Sequence, residues 1–394
     1  MNGPRARMGL GAIFRIGLYY GVAGFGGGYS VIAQLRRDLV EKRKLMSAED
    51  FLVLMELSKS LPGAPTGTIM ALVGQRIGGV RGGGVATIGV LLPSFLMMVA
   101  CGAAYSLFRK LTELSIFFDG MNAAMVGVVG AVTLDLARAG AIRSKRDVAI
   151  AALSAVLLAA RLVAEPILAV AAVIVGVARG ALRGVRNGDG PRDAGKNDDD
   201  VHGVGTLPWL PILLGGSAAS LAALVRVFVP IGVTTFGGGL AMIPAIEHMV
   251  VIEQGWLDPK AFADAIALGQ ITPGPVSICA TFIGYRVAGL VGAVVATFAM
   301  FAPAISLALA AGHSVDRFRA SPLVDGALRT LAPVVIGMLA AATFSLGRAA
   351  VGVPVDAALA VVTFLVLVVR PMSPLWMLVG GGLVRLAILW VGRM

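Results

Sequence analysis

Phe25-Gly26-Gly27-Gly28 is followed, at Pro62-Gly63-Ala64-Pro65, by a proline-glycine break in an apolar run that continues to Gly74-Gln75-Arg76. The same order returns in the second half as Phe236-Gly237-Gly238-Gly239, Thr272-Pro273-Gly274-Pro275 and Gly284-Tyr285-Arg286. The spacing from the Phe to the first Pro of the break is identical in the two copies. A one-residue difference inside the break separates the two Arg positions. Flanking residues keep the same alignment: Arg15 with Arg226, Phe51 with Phe262, Pro93 with Pro303, Gly127 with Gly337 and Arg138 with Arg348. The chain is therefore a fused duplication of units of roughly 170 residues. The first repeat is placed at 8–180, a polar linker and linking helix at 181–224, and the second repeat at 225–394.

Composition fixes the solvent. Of the 394 residues 57% are hydrophobic and only 14% charged, too apolar for a soluble globular domain. Apolar runs long enough to span hydrocarbon recur along both halves, so the expected class is an all-α polytopic membrane protein. The 52 glycines suit close helix packing in lipid. No cleavable signal peptide is expected before the first repeat. The net charge of +11 sits mainly in short connections between apolar runs, as the positive-inside rule requires, and no basic stretch alternates with aromatics. Nucleic acid is therefore not an expected partner. Cys101 and Cys279 lie in apolar segments, which predicts neither a disulfide framework nor a metal site.

The segments 50–80 and 260–287 decide the crossing count. Their prolines remove backbone donors and disfavour helix just before each Pro. Each segment is either one discontinuous crossing or two half-helices returning to one side, and the total is about 10 to 13 crossings. Orientation depends on the same choice. The connection at Arg36–Lys44 is basic, whereas its counterpart carries Glu247, Glu253 and Asp258 beside His248, as inverted repeats predict. Placing the basic stretch at Arg138–Arg146 on the same side as Arg36–Lys44 requires the returning half-helices.

A half-helix that starts inside a membrane presents free N–H groups and a positive dipole end, which suit an anion. The residues placed to form such a site are Pro62, Gly63, Thr66 and Thr68 in one repeat and Pro273, Gly274, Pro275 and Ser277 in the other. Lys59 and Gln270 immediately precede the breaks. Gly26, Gly27, Gly28 and Gly237, Gly238, Gly239 would unwind the first helix of each half or provide a flat packing face, since three glycines in a helix are each unfavourable by about 1 kcal/mol. Arg76 and Arg286 follow the second half-helices and either bind the anion or extend to the interface. Arg15 and Arg226 read as interface anchors, and His248 as a loop residue or a proton relay. No nucleotide loop, zinc pair or nucleophile elbow is present, so neither an enzyme nor a cofactor is expected.

Phe236-Gly237-Gly238-Gly239, Glu247, Gln254-Gly255-Trp256-Leu257, Phe262, Gln270-Ile271-Thr272-Pro273-Gly274-Pro275 and Gly284-Tyr285-Arg286 together resemble the chromate ion transporter family. The first half departs from the pattern with Leu45 for Trp256, Ala33 for Pro244, Lys59-Ser60 for Gln270-Ile271 and an extra Ala64 in the break. The resemblance implies a multi-pass transporter of a bacterial or archaeal inner membrane that exports chromate, with two homologous halves of opposite topology. Sulfate or another oxyanion is the alternative substrate, and a non-transporting scaffold or sensor subunit the alternative class. Partners are then chromate or a related oxyanion and the bilayer, with a second copy in a homodimer as a further candidate. Moving one charge through about 100 mV is worth about 2.3 kcal/mol, so a dianion leaving a negative-inside cell gains about 4.6 kcal/mol. Export is expected to be driven by potential, with proton coupling secondary, because the membrane carboxylates picked out are Glu56, Asp135 and Glu165 in the first half and none central in the second.

Overall fold

A computed structural model describes residues 8–24, 34–61, 63–108, 111–138, 142–160, 162–163, 165–186, 217–234, 242–313, 322–370 and 372–391. Among these the protein is helical, with no strand. The main helices of the first half are α1 (Leu10–Ala23), α2 (Ala48–Ser60), α3 (Pro65–Phe108), α4 (Thr112–Leu136), α5 (Lys145–Ala159) and α6 (Glu165–Arg186). Those of the second are α7 (Ala218–Thr234), α8 (Pro259–Ile271), α9 (Cys279–His313), α10 (Pro322–Ala350), α11 (Pro354–Val369) and α12 (Pro374–Val391). Among the described residues, five stretches are long and apolar enough to cross a membrane: Pro65–Leu107, Thr112–Leu136, Val276–His313, Arg329–Arg348 and Pro374–Val391.

The backbone repeats more faithfully than the sequence. Ser47 and Asp258, equivalent residues, cap α2 and α8 by accepting from Asp50 N (3.0 Å) and Ala261 N (2.8 Å). Each cap follows a π-helical turn, Arg37–Lys42 or His248–Glu253, closed by equivalent bonds from Leu45 N to Leu39 O and from Trp256 N to Val250 O. Each turn then passes through a left-handed residue, Lys44 at φ 51° and Gly255 at φ 60°. Only the glycine adopts that conformation without steric strain.

α2 and α8 contain 13 residues each, a length of about 20 Å against a hydrocarbon core of about 30 Å. They do not cross. After the break at 62–64 the chain turns back: the Ser58 and Thr68 hydroxyls lie 2.9 Å apart beside the break, and Arg76 pairs with Asp50 at 3.0 Å at the far end. The first break is thus two half-helices returning to one side. α3 then reverses again at Gly78 and Gly79, the latter at φ 69°, so that Gly74 lies against Gly82 and Ala86. α9 repeats this at Ala288 and Gly289 (φ 59°), where Gly284 meets Gly292 and the Thr281 and Thr297 hydroxyls are 2.7 Å apart. The full-length arms are residues 80–108 and 290–313.

These two arms run antiparallel at the centre of the molecule. Gly83, near the start of the first, meets Leu309 near the end of the second, whose carbonyl also accepts from Gln75 Nε2 of the preceding half-helix (2.8 Å), while Gly102, near the end of the first, meets Tyr285 beside the start of the second. α1 lies along the first arm, Gly17 against Ala86 and Gly21 against Val90 and Pro93, and α7 lies along the other, Gly232 against Met300. Outside this centre the halves exchange partners. α4 packs on α11 and α12 through Gly127 on Ala360 and Gly120 on Gly381, and α10 packs on α5 through Gly337 on Ala151 and Ser154. Large apolar side chains such as Phe298, Val361, Leu365 and Val369 point outward, as lipid requires, and Trp376 and Trp390 mark the two ends of α12.

A Cβ at Gly284 would overlap the Gly292 carbonyl, whereas one at Gly84 would meet nothing within 4 Å. Gly284→Ala is therefore expected to destabilise the protein in detergent by about 1–3 kcal/mol, and Gly84→Ala to leave the melting temperature unchanged or raised. Equal losses in the two variants would show that the reversal is not closely packed.

Candidate functional site

Each proline-glycine break is seated on the long arm of the other half. Gly63, at φ +108°, lies against Ala304, the neighbour of Pro303, and Gly67 faces Phe301. Gly274, at φ +125°, lies against Ser94, the neighbour of Pro93, and the Ser94 hydroxyl donates to the Pro273 carbonyl. Because Gly63 is equivalent to Gly274 and Ala304 to Ser94, these are one contact made twice. A side chain at either glycine would meet both a positive φ and an occupied space. Glycine is thus required twice over.

The returning half-helices begin at these two seatings. Their first N–H groups have no acceptor within the helix. Thr66, Thr68 and Ser277 are buried there. Thr68 Oγ1 is committed to Ser58 and to the Ala64 carbonyl (3.2 Å), which ties the hairpin together. Ser277 Oγ is buried with no hydrogen-bond partner, a polar atom left over at the start of the second half-helix. Gln270 stands beside the break with Nε2 3.9 Å from Met125 Sδ, and Thr272 bonds back to Leu268 O (2.7 Å). Pro62, the glycines 26–28 and 237–239, and the side chain of Lys59 lie outside the described residues.

Arg76 and Arg286 are not at the breaks. Each closes the opposite end of its half-helix, about 15 Å away by helix rise. Arg76 is held by Asp50, while Arg286 donates to Ser106 Oγ (3.1 Å) and lies 5.7 Å over the Tyr105 ring. His248 pairs with Glu253 (3.1 Å) at the rim of a cavity of about 320 Å³ lined also by Pro244, Glu247, Ser345 and Arg348. The Ser345 hydroxyl lies 2.7 Å from both Glu247 oxygens.

Sequence reading missed a second polar cluster. Asp264 is 1% exposed on α8, where its Oδ2 accepts from Tyr105 Oη (2.6 Å) and its Oδ1 from Asn122 Nδ2 (2.8 Å). One helical turn earlier Lys260 pairs with Asp119 (2.8 Å). Asp356, also buried, pairs with Arg385 at 2.9 Å. The expectation of no central carboxylate in the second half is therefore corrected. The available signal was an aspartate inside the run Ala261–Gly269, where a lone ionisable group among apolar residues is a functional candidate by default.

Similarity to known proteins covers nearly all of this architecture. The family described as Chromate transporter matches residues 11–178 and 222–386, one match to each half. A protein of Cupriavidus metallidurans named chromate transport protein is 30% identical over 376 residues, 94% of this chain and 90% of its own. A probable chromate transport protein of Synechococcus elongatus is 30% identical over 84% of this chain and 83% of its own, and a chromate transport protein of Pseudomonas aeruginosa 26% identical over 84% and 79%. No solved structure matches the chain. With both halves matched across their re-entrant breaks and long arms, the chain belongs to the chromate transporter family.

Proposed function

We propose that this protein carries chromate outward across the cell membrane through a site at the crossing of its two long arms. The observation that carries the reading is the doubled seating of each break on the opposite arm, Gly63 on Ala304 and Gly274 on Ser94. It brings the start of a half-helix from each repeat into the buried centre, where uncommitted N–H groups and the positive dipole end favour a small anion. Gly63, Thr66, Pro273, Gly274, Pro275 and Ser277 form the core of this site. Arg76 and Arg286, at the outer ends of the half-helices, attract the dianion to its two mouths.

The halves are inverted repeats. The antiparallel long arms support this, as do the reversals at Gly79 and Gly289, which fall at opposite ends of the paired arms. With each break a returning hairpin, the basic stretches 36–44, 76–81 and 138–146 fall on one face, and Glu247, Glu253 and Asp258 on the other. By the positive-inside rule the first face is cytoplasmic, which makes this a multi-pass inner-membrane protein with a defined orientation. Thiol labelling checks it: in a chain with Cys101 and Cys279 replaced, a membrane-impermeant reagent added to intact cells is expected to label cysteine at position 253 and not at position 44. The reverse pattern would invert the assignment.

Outward movement of a dianion down a negative-inside potential supports a gradient of about a thousandfold without a coupling ion. Everted vesicles with the potential clamped by potassium and valinomycin should accumulate chromate in proportion to the potential. Accumulation that ignores the potential and follows an imposed pH gradient would refute potential-driven export, and preference for sulfate over chromate in the same vesicles would reassign the substrate. Gly274→Leu is expected to abolish the flux with the protein still inserted in the membrane. Arg286→Ala should raise the half-saturating chromate concentration, most steeply at low ionic strength. Unchanged flux in both variants would return these residues to packing roles.

A further inference from the structure

Asp264 has no counterpart in the other repeat. The equivalent position on α2 is Val53, and the position equivalent to Asn122 is Ala332. The cluster is therefore not part of the duplicated framework. It also joins the halves, because Asp264 belongs to the second-half hairpin while Tyr105 ends the first long arm and Asn122 lies on α4. The charged groups acting on it are Lys260 on its own helix and Asp119 on α4, which pair with each other, and Arg286 of α9 reaches the far side over the Tyr105 ring.

The chemistry of the three side chains accommodates two states. Both carboxylate oxygens accept, one from the phenol and one from the amide, the arrangement of an ionised group. Asn122 Oδ1 is buried and has no hydrogen-bond partner. Turning the amide over would present that oxygen to Asp264, where it would accept from a protonated carboxyl. The site thus holds a ready acceptor for one added proton. Bonds to an ionised carboxylate are roughly twice as strong as neutral ones, so gaining the proton weakens the tie between the halves.

We propose that Asp264 is a proton-binding site, and that with Tyr105 and Asn122 it forms a latch between the two halves near the extracytoplasmic face, closed when ionised and released by a proton taken from the outer water. The side assignment rests on the orientation given above; the proton site itself does not. Only a proton is transferred, from hydronium to a carboxylate oxygen; the Lys260–Asp119 pair stands one helical turn away toward the Pro259 end of α8, and Arg286 lies over the Tyr105 ring. In an exporter, a latch released at the outer face would let acid outside speed discharge of the anion.

Infrared titration of the full chain reconstituted in lipid tests the proton site without any chromate. The expected result is a carbonyl band of a protonated carboxyl that grows as pH falls and is missing in Asp264→Asn. Tyr105→Phe, which takes one hydrogen bond from the carboxylate, should favour the acid form and move the midpoint of that band by about one pH unit. Everted vesicles, whose lumen meets the outer face, test the latch: acidifying the lumen at fixed potential should raise wild-type chromate accumulation about threefold or more, and Asp264→Asn should lose that response. A band that survives in Asp264→Asn, or a Tyr105→Phe midpoint identical to wild type, would overturn the proton site. A pH response kept in Asp264→Asn, or a wild-type flux that falls on acidification, would overturn the latch. Absence of chromate flux in the wild type would instead count against the transport reading and leave the band to decide on Asp264.

Discussion

Hydrocarbon offers no hydrogen bond to a peptide group, and that constraint organises this molecule. A helix of 13 residues that stops part-way through the bilayer leaves carbonyls at one side of its break and N–H groups at the other with nothing in lipid to meet them. Enclosure is the available remedy. Each hairpin folds back on itself and is capped by the long arm of the opposite half, with Ser94 supplying a hydroxyl to the Pro273 carbonyl in one copy. The glycines follow from this, because only a residue without a side chain fits between a reversing backbone and a facing helix. Among the side-chain atoms beside the breaks, the Ser277 hydroxyl is left buried without a partner.

The duplication was legible in the sequence because turn chemistry is local. Proline, glycine and their spacing mark the places where a helix must stop, and those marks coincide in both halves. The re-entrant path was not legible: a proline-glycine break looks the same whether the chain continues or returns, and what separates the two is the pairing of Asp50 with Arg76, residues that a linear reading treats separately. Arg76 and Arg286 read as neighbours of the site because they follow the breaks closely in sequence. A straight half-helix converts that closeness into distance.

Asp264 was hidden for a different reason. Repeat logic directs attention to what the halves share, and this residue faces Val53 in the alignment. Its partners come from a helix end and from α4, both far away in sequence. Function that distinguishes one half from the other has to live in such departures from symmetry. The duplicated centre is common to both halves, and the unpaired substitutions, Asp264 against Val53 and Asn122 against Ala332, are where the two halves differ.

The exchange of outer helices between halves has a consequence for assembly. Gly120 and Gly127 of α4 find their packing surfaces on Gly381 and Ala360, near the end of the chain. At ribosomal rates of about 10 residues per second, α4 waits on the order of tens of seconds in the bilayer before those partners exist. Through that interval its small-residue face, with Asp119 and Asn122 on the same helix, lies open to lipid or to whatever membrane helix is nearby. A chain interrupted after the first repeat would keep that face open permanently, which makes the isolated half a natural client for membrane quality control.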